Sequence, residues 1–216
     1  QVSLQLNERH ICGGSIVRKD MVVTAAHCVY PVTEKKVSHM TVIAGEYDQQ
    51  VNDSQEQSIP VSRIEPHPDY RGGGKMSYDI ALIFLAKPIV FGSQVQPICL
   101  PQVGEKLEIG TLCVSSGWGR LEERMIFPTQ LQQAKVPIVS IKKCKNYWVS
   151  GVTDNNVCAG KAGATSCMGD SGGPLICKME ERYYLVGVVS WGSSECNVNA
   201  PGVYTLTSAF MDWISQ

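Results

Sequence analysis

The chain has 216 residues, 44% hydrophobic and 18% charged, with a formal net charge of −1. That is enough apolar material for a sizeable core, and it leaves no cationic surplus with which to hold nucleic acid or an anionic membrane. The longest apolar run, Ile80 to Ala86, falls far short of the roughly 20 residues that span a bilayer. Nine cysteines, not arranged as C-x-x-C pairs with histidines, exclude a zinc ribbon or a reduced cytosolic enzyme and point to an oxidising, secreted or extracellular setting.

Short runs rich in Val, Ile, Thr and Leu recur between Gly, Pro, Asp and Asn: Q-V-S-L-Q-L at the start, then M-V-V-T, T-V-I-A-G and A-L-I-F-L, and later Y-L-V-G-V-V-S-W and V-Y-T-L. This patterning predicts an all-β chain. Helical periodicity is confined to a stretch near Ser140 to Tyr147 and to the tail, about 207–216, where Ser208 is placed to cap an apolar-faced helix. Without repeats, low-complexity tracts or long charged linkers, residues 1–216 read as one functional domain. Lys35-Lys36 and Lys142-Lys143 read as solvated faces. Gln1 is not a start methionine and neither signal peptide nor tail anchor is visible, so the chain reads as a processed or excised segment.

In chain order, the first chemical signal is T-A-A-H-C, 24–28. Ala25 and Ala26 let the backbone before His27 pack closely, and a histidine held this way is a candidate general base. Next comes Y-D-I-A-L, 78–82, in which the apolar residues after Asp79 predict a buried carboxylate that needs hydrogen-bond partners. The third signal is C-M-G-D-S-G-G-P-L-I-C, 167–177. A serine attacks a carbonyl only with a base to take its proton and N–H donors to hold the oxyanion. Gly169 and the Gly172-Gly173 pair allow a turn tight enough for the amides of Gly169 and Ser171 to converge as such an oxyanion hole. A Gly/Ser/Pro cluster alone would be a plain loop. The order His, Asp, Ser gives it an acid–base partner set, and it excludes the α/β-hydrolase elbow, whose histidine follows its serine, because the last histidine here is His67.

The segments I-C-G-G-S, T-A-A-H-C, D-I-A-L, S-G-W-G, G-D-S-G-G-P, S-W-G and P-G-V-Y together make nearly the whole chain resemble a trypsin/chymotrypsin-family serine protease, closer to chymotrypsin or to an ovochymase-like domain. The resemblance implies two packed antiparallel β-barrels, about 1–90 and 100–205, joined near Lys87 to Pro101 and followed by a short C-terminal α-helix. It implies a serine endopeptidase acting through an acyl-enzyme, with Ser171 as nucleophile, His27 as general acid/base and Asp79, bonded also to Ser190, as its orienter. No cofactor is required for catalysis, and the partners are polypeptide substrates and protein protease inhibitors, met as a monomer. Some relatives are binding modules that have lost catalytic residues; this chain keeps all three, which argues against that alternative.

The resemblance also implies the disulfides Cys12–Cys28, Cys113–Cys177, Cys144–Cys158 and Cys167–Cys196. Cys99 is left to tether an upstream propeptide. It implies that Ser190, Trp191 and Gly192 form a substrate-pairing edge, and that Thr165, Ser166, Met168, Gly192 and Gly202 line the pocket for the side chain before the cut. Thr165 stands where trypsin has an aspartate, so large apolar or aromatic side chains are expected there. In the family a new N-terminus made by cleavage pairs with the aspartate before the serine; here no such segment precedes Gln1, so a zymogen-like arrangement is expected, with Asp170 turned toward His10 and Ser3 and the Gly169 amide misdirected. Finally, the spacing of Glu46, Asp48, Val51, Asp53 and Glu56 resembles the calcium loop of trypsin, with a solvated acidic loop as the competing reading. Asn52-Asp53-Ser54 is a glycosylation sequon.

Overall fold

The computed structural model describes all residues except 52, 54, 75, 122–125, 161, 162 and 164. Twelve strands form two closed barrels. The first comprises β1 (Val2–Leu6), β2 (Arg9–Arg18), β3 (Met21–Thr24), β4 (Met40–Ala44), β5 (Gln57–Pro66) and β6 (Ala81–Leu85), joined around the ring as β1-β2-β3-β6-β5-β4. The second comprises β7 (Leu112–Gly117), β8 (Gln132–Val139), β9 (Asn156–Gly160), β10 (Pro174–Met179), β11 (Arg182–Trp191) and β12 (Pro201–Leu206), joined as β7-β8-β9-β12-β11-β10. Closure leaves neither sheet with an open edge.

The alternation in the sequence explains the strands. In β5, Ile59, Val61 and Ile64 turn inward while the residues between them face out, and the one-residue offset after Val61 is absorbed by a bulge against β6. β3 is buried on both faces, which its unbroken M-V-V-T run anticipates. The first barrel is filled by residues such as Val2, Leu4, Ile16, Val22, Val42 and Ile83. The second holds Val136, Leu175, Val186, Val189 and Tyr204 around Cys113 and Cys177. Between the barrels, Met21, Val23, Ile80 and Leu82 pack on Leu185, Val188, Phe210 and Ile214.

The disulfides are Cys12–Cys28, Cys113–Cys177, Cys144–Cys158 and Cys167–Cys196, and Cys99 is unpaired and partly exposed. Helix α1 (Ala26–Val29) follows β3 directly, and α2 (Glu34–Ser38) is capped by Thr33, whose hydroxyl accepts the Lys36 N–H at 3.1 Å. Helix α3 (Ile141–Trp148) is capped by Ser140 in the same way at 3.2 Å. The tail departs from expectation. Thr207–Ala209 form a 3-10 turn, and α4 (Met211–Ile214) begins after Phe210 with no side-chain cap. Ser208 is buried and its hydroxyl donates instead to the Glu105 carbonyl at 2.8 Å, so a tertiary bond outcompetes the local cap.

A glycine seam joins the two barrels. Gly13 N–H donates to the Ser171 carbonyl at 2.8 Å, and a Cβ on Gly13 would stand 2.9 Å from Gly173 Cα. Gly172, at φ +76°, could carry no side chain without overlapping Thr24 Oγ1, and its Cβ position lies 3.1 Å from Ala25 N. The loop carrying Ser171 is thereby pressed against the turn that leads into His27.

Candidate active site

Tyr78 adopts a left-handed backbone, φ +58°, and turns the chain so that Asp79 enters the interior fully buried. One carboxylate oxygen of Asp79 accepts the His27 backbone N–H at 2.8 Å, and the other lies 2.8 Å from His27 Nδ1. The second barrel supplies two further bonds: the Ser190 hydroxyl donates to the same Oδ2 at 2.5 Å, and the Thr205 hydroxyl to the Asp79 carbonyl at 2.8 Å. With Nδ1–H committed to Asp79, His27 Nε2 is left as the acceptor nitrogen. Its polar neighbour is Cys28 Sγ at 3.9 Å, and Ser171 Oγ closes no hydrogen bond within the described chain. Such contacts tighten when substrate is bound.

The serine loop is held by its own backbone. Asp170 N–H donates to Cys167 O, Gly173 N–H to Asp170 O, and Gly172 N–H to Val189 O. Gly169 sits at φ +96°. Among the described residues neither the Gly169 nor the Ser171 amide donates to an acceptor in the chain.

Asp170 overturns one expectation. Its carboxylate does not turn to His10 and Ser3; it accepts the Gly119 and Cys167 amides, each at 2.8 Å. His10 Nε2 lies 3.2 Å from the Gly169 carbonyl instead, and its Nδ1 pairs with the Ser3 hydroxyl at 2.9 Å. Two backbone donors satisfy Asp170 without a side chain, which frees His10 to brace the loop itself. Burial still raises the Asp170 pKa, against the pull of the two amide bonds. Its carboxylate borders a cavity of about 220 Å³ shared with Gly117, Gln133, Ala134 and Thr165.

Sequence reasoning missed the residues that make room for this. A Cβ on Gly117 or Gly119 would overlap the Asp170 carboxylate, so the glycines on both sides of Trp118 form its cradle. Trp118 Nε1 donates to the Tyr47 carbonyl at 3.1 Å, and its ring meets His10 edge to face. The G-W-G spacing was the available signal, since paired glycines flanking a buried tryptophan mark a close backbone approach.

At the pocket positions, Ser166 is buried and Met168 is half exposed. A Cβ on Gly192 would stand 3.7 Å from Gly202 Cα, so the two glycines face each other with no side chain between them. Trp191 is wedged edge to face against Trp148 and close to Gly151. Ser190 faces away from this slot, toward Asp79.

In the acidic loop, Glu46 Oε1 accepts from Gln5 at 3.4 Å while Oε2 is buried without a protein partner. Burial raises the Glu46 pKa, the neighbouring Ser3 hydroxyl opposes the rise, and Glu56 adds a smaller push upward. Asp48 is otherwise engaged: its carboxylate accepts the Gln50 amide at 3.1 Å and the Gln130 side chain at 3.3 Å, which lower its pKa. Asp53 accepts the Gln55 amide at 3.0 Å, Val51 is exposed, and Asn52 lies outside the described residues. No helix among the described residues is long and apolar enough to cross a membrane.

Two antiparallel barrels, one carrying an Asp-held imidazole and the other a glycine-bracketed serine loop that bonds across the seam to Gly13, constitute the framework of a serine endopeptidase, a hydrolase of polypeptides. The family model described as Trypsin matches residues 1–214, and the chain belongs to that family.

Proposed function

We propose that Ser171 is the nucleophile. Its oxygen attacks the substrate carbonyl while its proton passes to His27 Nε2, and Asp79 holds the imidazole and stabilises the imidazolium that forms. The oxyanion is received by the Gly169 and Ser171 amides. His27 then gives its proton to the departing amine, leaving an acyl-serine that water hydrolyses by the same steps. The observation that carries this reading is the 2.8 Å bond from His27 Nδ1 to a fully buried Asp79 that the second barrel also grips. A covalent serine-directed inhibitor tests it: stoichiometric labelling of Ser171 in the complete mature protein supports the mechanism, and no labelling supports a binding module.

The pocket is proposed to favour Phe, Tyr, Leu or Met before the scissile bond. Thr165 supplies no charge for a buried lysine or arginine, and an unpaired cation there is costly. A cleavage profile dominated by Arg or Lys would overturn this.

The cavity beside Asp170 is proposed to receive the ammonium of a chain end produced by activating cleavage, since a cation there would favour the ionised carboxylate that burial opposes. Asp170→Asn should then lower turnover about 100-fold or more, the scale seen when an oxyanion donor is lost. The protein is further proposed to be secreted and monomeric, to meet protein inhibitors, to carry glycan on Asn52, and to be joined through Cys99 to its propeptide; the four disulfides support the oxidising compartment. Glu46 and Glu56, with loop carbonyls, would hold a Ca²⁺ that supplies stability and no chemistry.

A further inference from the structure

We propose that the groove between helix α3 and the 105–110 segment of the second barrel is a docking site for a polypeptide partner, and that it takes an acidic segment carrying an apolar anchor. None of the elements that form it carries His27, Asp79 or Ser171, so the proposal stands apart from the mechanism above.

Two hollows of about 560 and 400 Å³ run into each other along Ile109, Ile138, Val139 and Ser140, which line both. Ile138 is buried, while Leu107, Ile141, Val157 and Leu206 are only partly covered by the rest of the barrel. Ile109 is 69% exposed. That exposure is fixed rather than frayed. Gly110 turns the chain at φ +89°, its N–H donates to the Ile138 carbonyl at 2.9 Å, and the Ile138 N–H donates to the Thr111 carbonyl at 2.9 Å. An apolar side chain tied down in water beside a concave apolar floor marks a place where another chain packs.

Charge decides what the groove takes. Lys106, Lys142 and Lys143 stand along its lining, and none of them forms an ion pair among the described residues. Two acids share the lining, and both are engaged: Asp154 pairs with Lys145 at 2.8 Å, and Glu105 accepts the Gln102 N–H at 2.9 Å. The first turn of α3 presents Lys142 and Lys143 and no acid, an arrangement that runs against the helix dipole. In a chain of net charge −1 this face is locally cationic. An acidic segment neutralises those ammonium groups while its apolar residue covers Ile109, whereas a basic segment meets like charge and is rejected.

The test measures binding of the labelled peptide E-I-D-E-V-I-E and of its basic counterpart K-I-K-K-V-I-K to the whole protein by fluorescence anisotropy. The acidic peptide is expected to bind with a Kd of about 100 μM or tighter in low salt and about tenfold more tightly than the basic one, with the difference fading at high salt. Lys142→Glu combined with Lys143→Glu should weaken the acidic peptide about tenfold; acids suit the first turn of a helix, so that loss is not a loss of folding. Ile109→Ser, at an exposed position, should weaken it about tenfold through lost apolar contact. Hydrolysis of a short chromogenic peptide should be unchanged in both variants. No binding of the acidic peptide, equal binding of the two peptides, or an affinity untouched by the lysine replacements would overturn the proposal. An affinity that falls with the lysines and ignores Ile109→Ser would overturn the polypeptide partner in favour of an anionic polymer such as a sulfated polysaccharide.

Discussion

The two barrels share one ring order but differ in what secures them. In the first, strands close over a continuous apolar interior, and the single disulfide, Cys12–Cys28, ties β2 to the helix that carries His27. In the second, Cys113–Cys177 joins directly facing residues of β7 and β10, Cys144–Cys158 ties α3 to β9, and Cys167–Cys196 anchors the serine loop to the turn before β12. In each barrel the connection after the third strand carries chemistry: His27 directly after β3, and Ser171 just ahead of β10. The acid–base pair needs rigidity, and burial of Asp79 provides it. The serine loop is held instead by backbone bonds, by close glycine contacts at the seam and by the Cys167–Cys196 tie.

The sharpest way to break this picture is to remove one partner from each barrel. Ser171→Ala or His27→Ala should each lower kcat about 10⁴- to 10⁶-fold, and the double variant should be no worse than the poorer single one, because the pair acts as a unit. Steady-state hydrolysis of a chromogenic peptide measures this, and additive losses would mean that the barrels contribute independently.

The second expectation concerns the ties. Replacing Cys167 and Cys196 by serine should cost about 2–5 kcal/mol in urea unfolding and also depress activity, whereas removing Cys144–Cys158 should cost stability alone. In the first barrel, Leu4→Ala should cost a comparable 2–5 kcal/mol through its cavity, with kcat for the remaining folded protein little changed. A Cys167/Cys196 variant of full specific activity would show that the loop needs no anchor.

A smaller effect is expected at the seam. Gly172→Ala combines a left-handed φ with overlap on Thr24 and should cost roughly 2–3 kcal/mol. Gly73→Ala, at φ +68° with open space around it, should cost only about 1 kcal/mol. Equal costs would mean that the close approach of the barrels stores no constraint.

The pH dependence is smaller again. Burial lowers the His10 pKa from its ordinary 6.5, with the Gly169 carbonyl acting weakly against it. Below pH 6.5 the unfolded chain therefore takes up a proton that the folded chain refuses. The stability contributed by neutral His10 is complete above that value and is lost as pH falls toward the lowered folded pKa. Wild type should lose stability between pH 7 and 5 relative to His10→Gln, and parallel curves for the two would remove His10 as the source. The smallest effect is a rise in Tm with millimolar calcium; curves that coincide in chelator and calcium would favour a solvated acidic loop.

Much of this was legible in short segments because the physics there is local. Alternating residues declared the strands, the periodicity near Ser140 to Tyr147 declared α3, and T-A-A-H-C, D-I-A-L and G-D-S-G-G-P each placed one candidate side chain in a backbone context suited to it. The Thr33 cap of α2 obeys the same local rule and could have been read from T-E-K-K. The tail shows where local reading stops, since Ser208 had a competitor for its hydroxyl that lies 103 residues away.

By itself, then, the sequence determined the all-β character, the family, and which residues could perform the chemistry, since those follow from periodicity and from the reactivity of side chains. Only the tertiary structure decided which groups meet. Asp79 draws its partners from 52, 111 and 126 residues away, Asp170 chose the amides of Gly119 and Cys167 over His10, and the hydroxyl oxygens of Ser166 and Thr165 were brought to Gly202. Hydrogen bonds act over about 3 Å, and no pattern along the chain specifies which of many donors closure of the barrels will place within that distance.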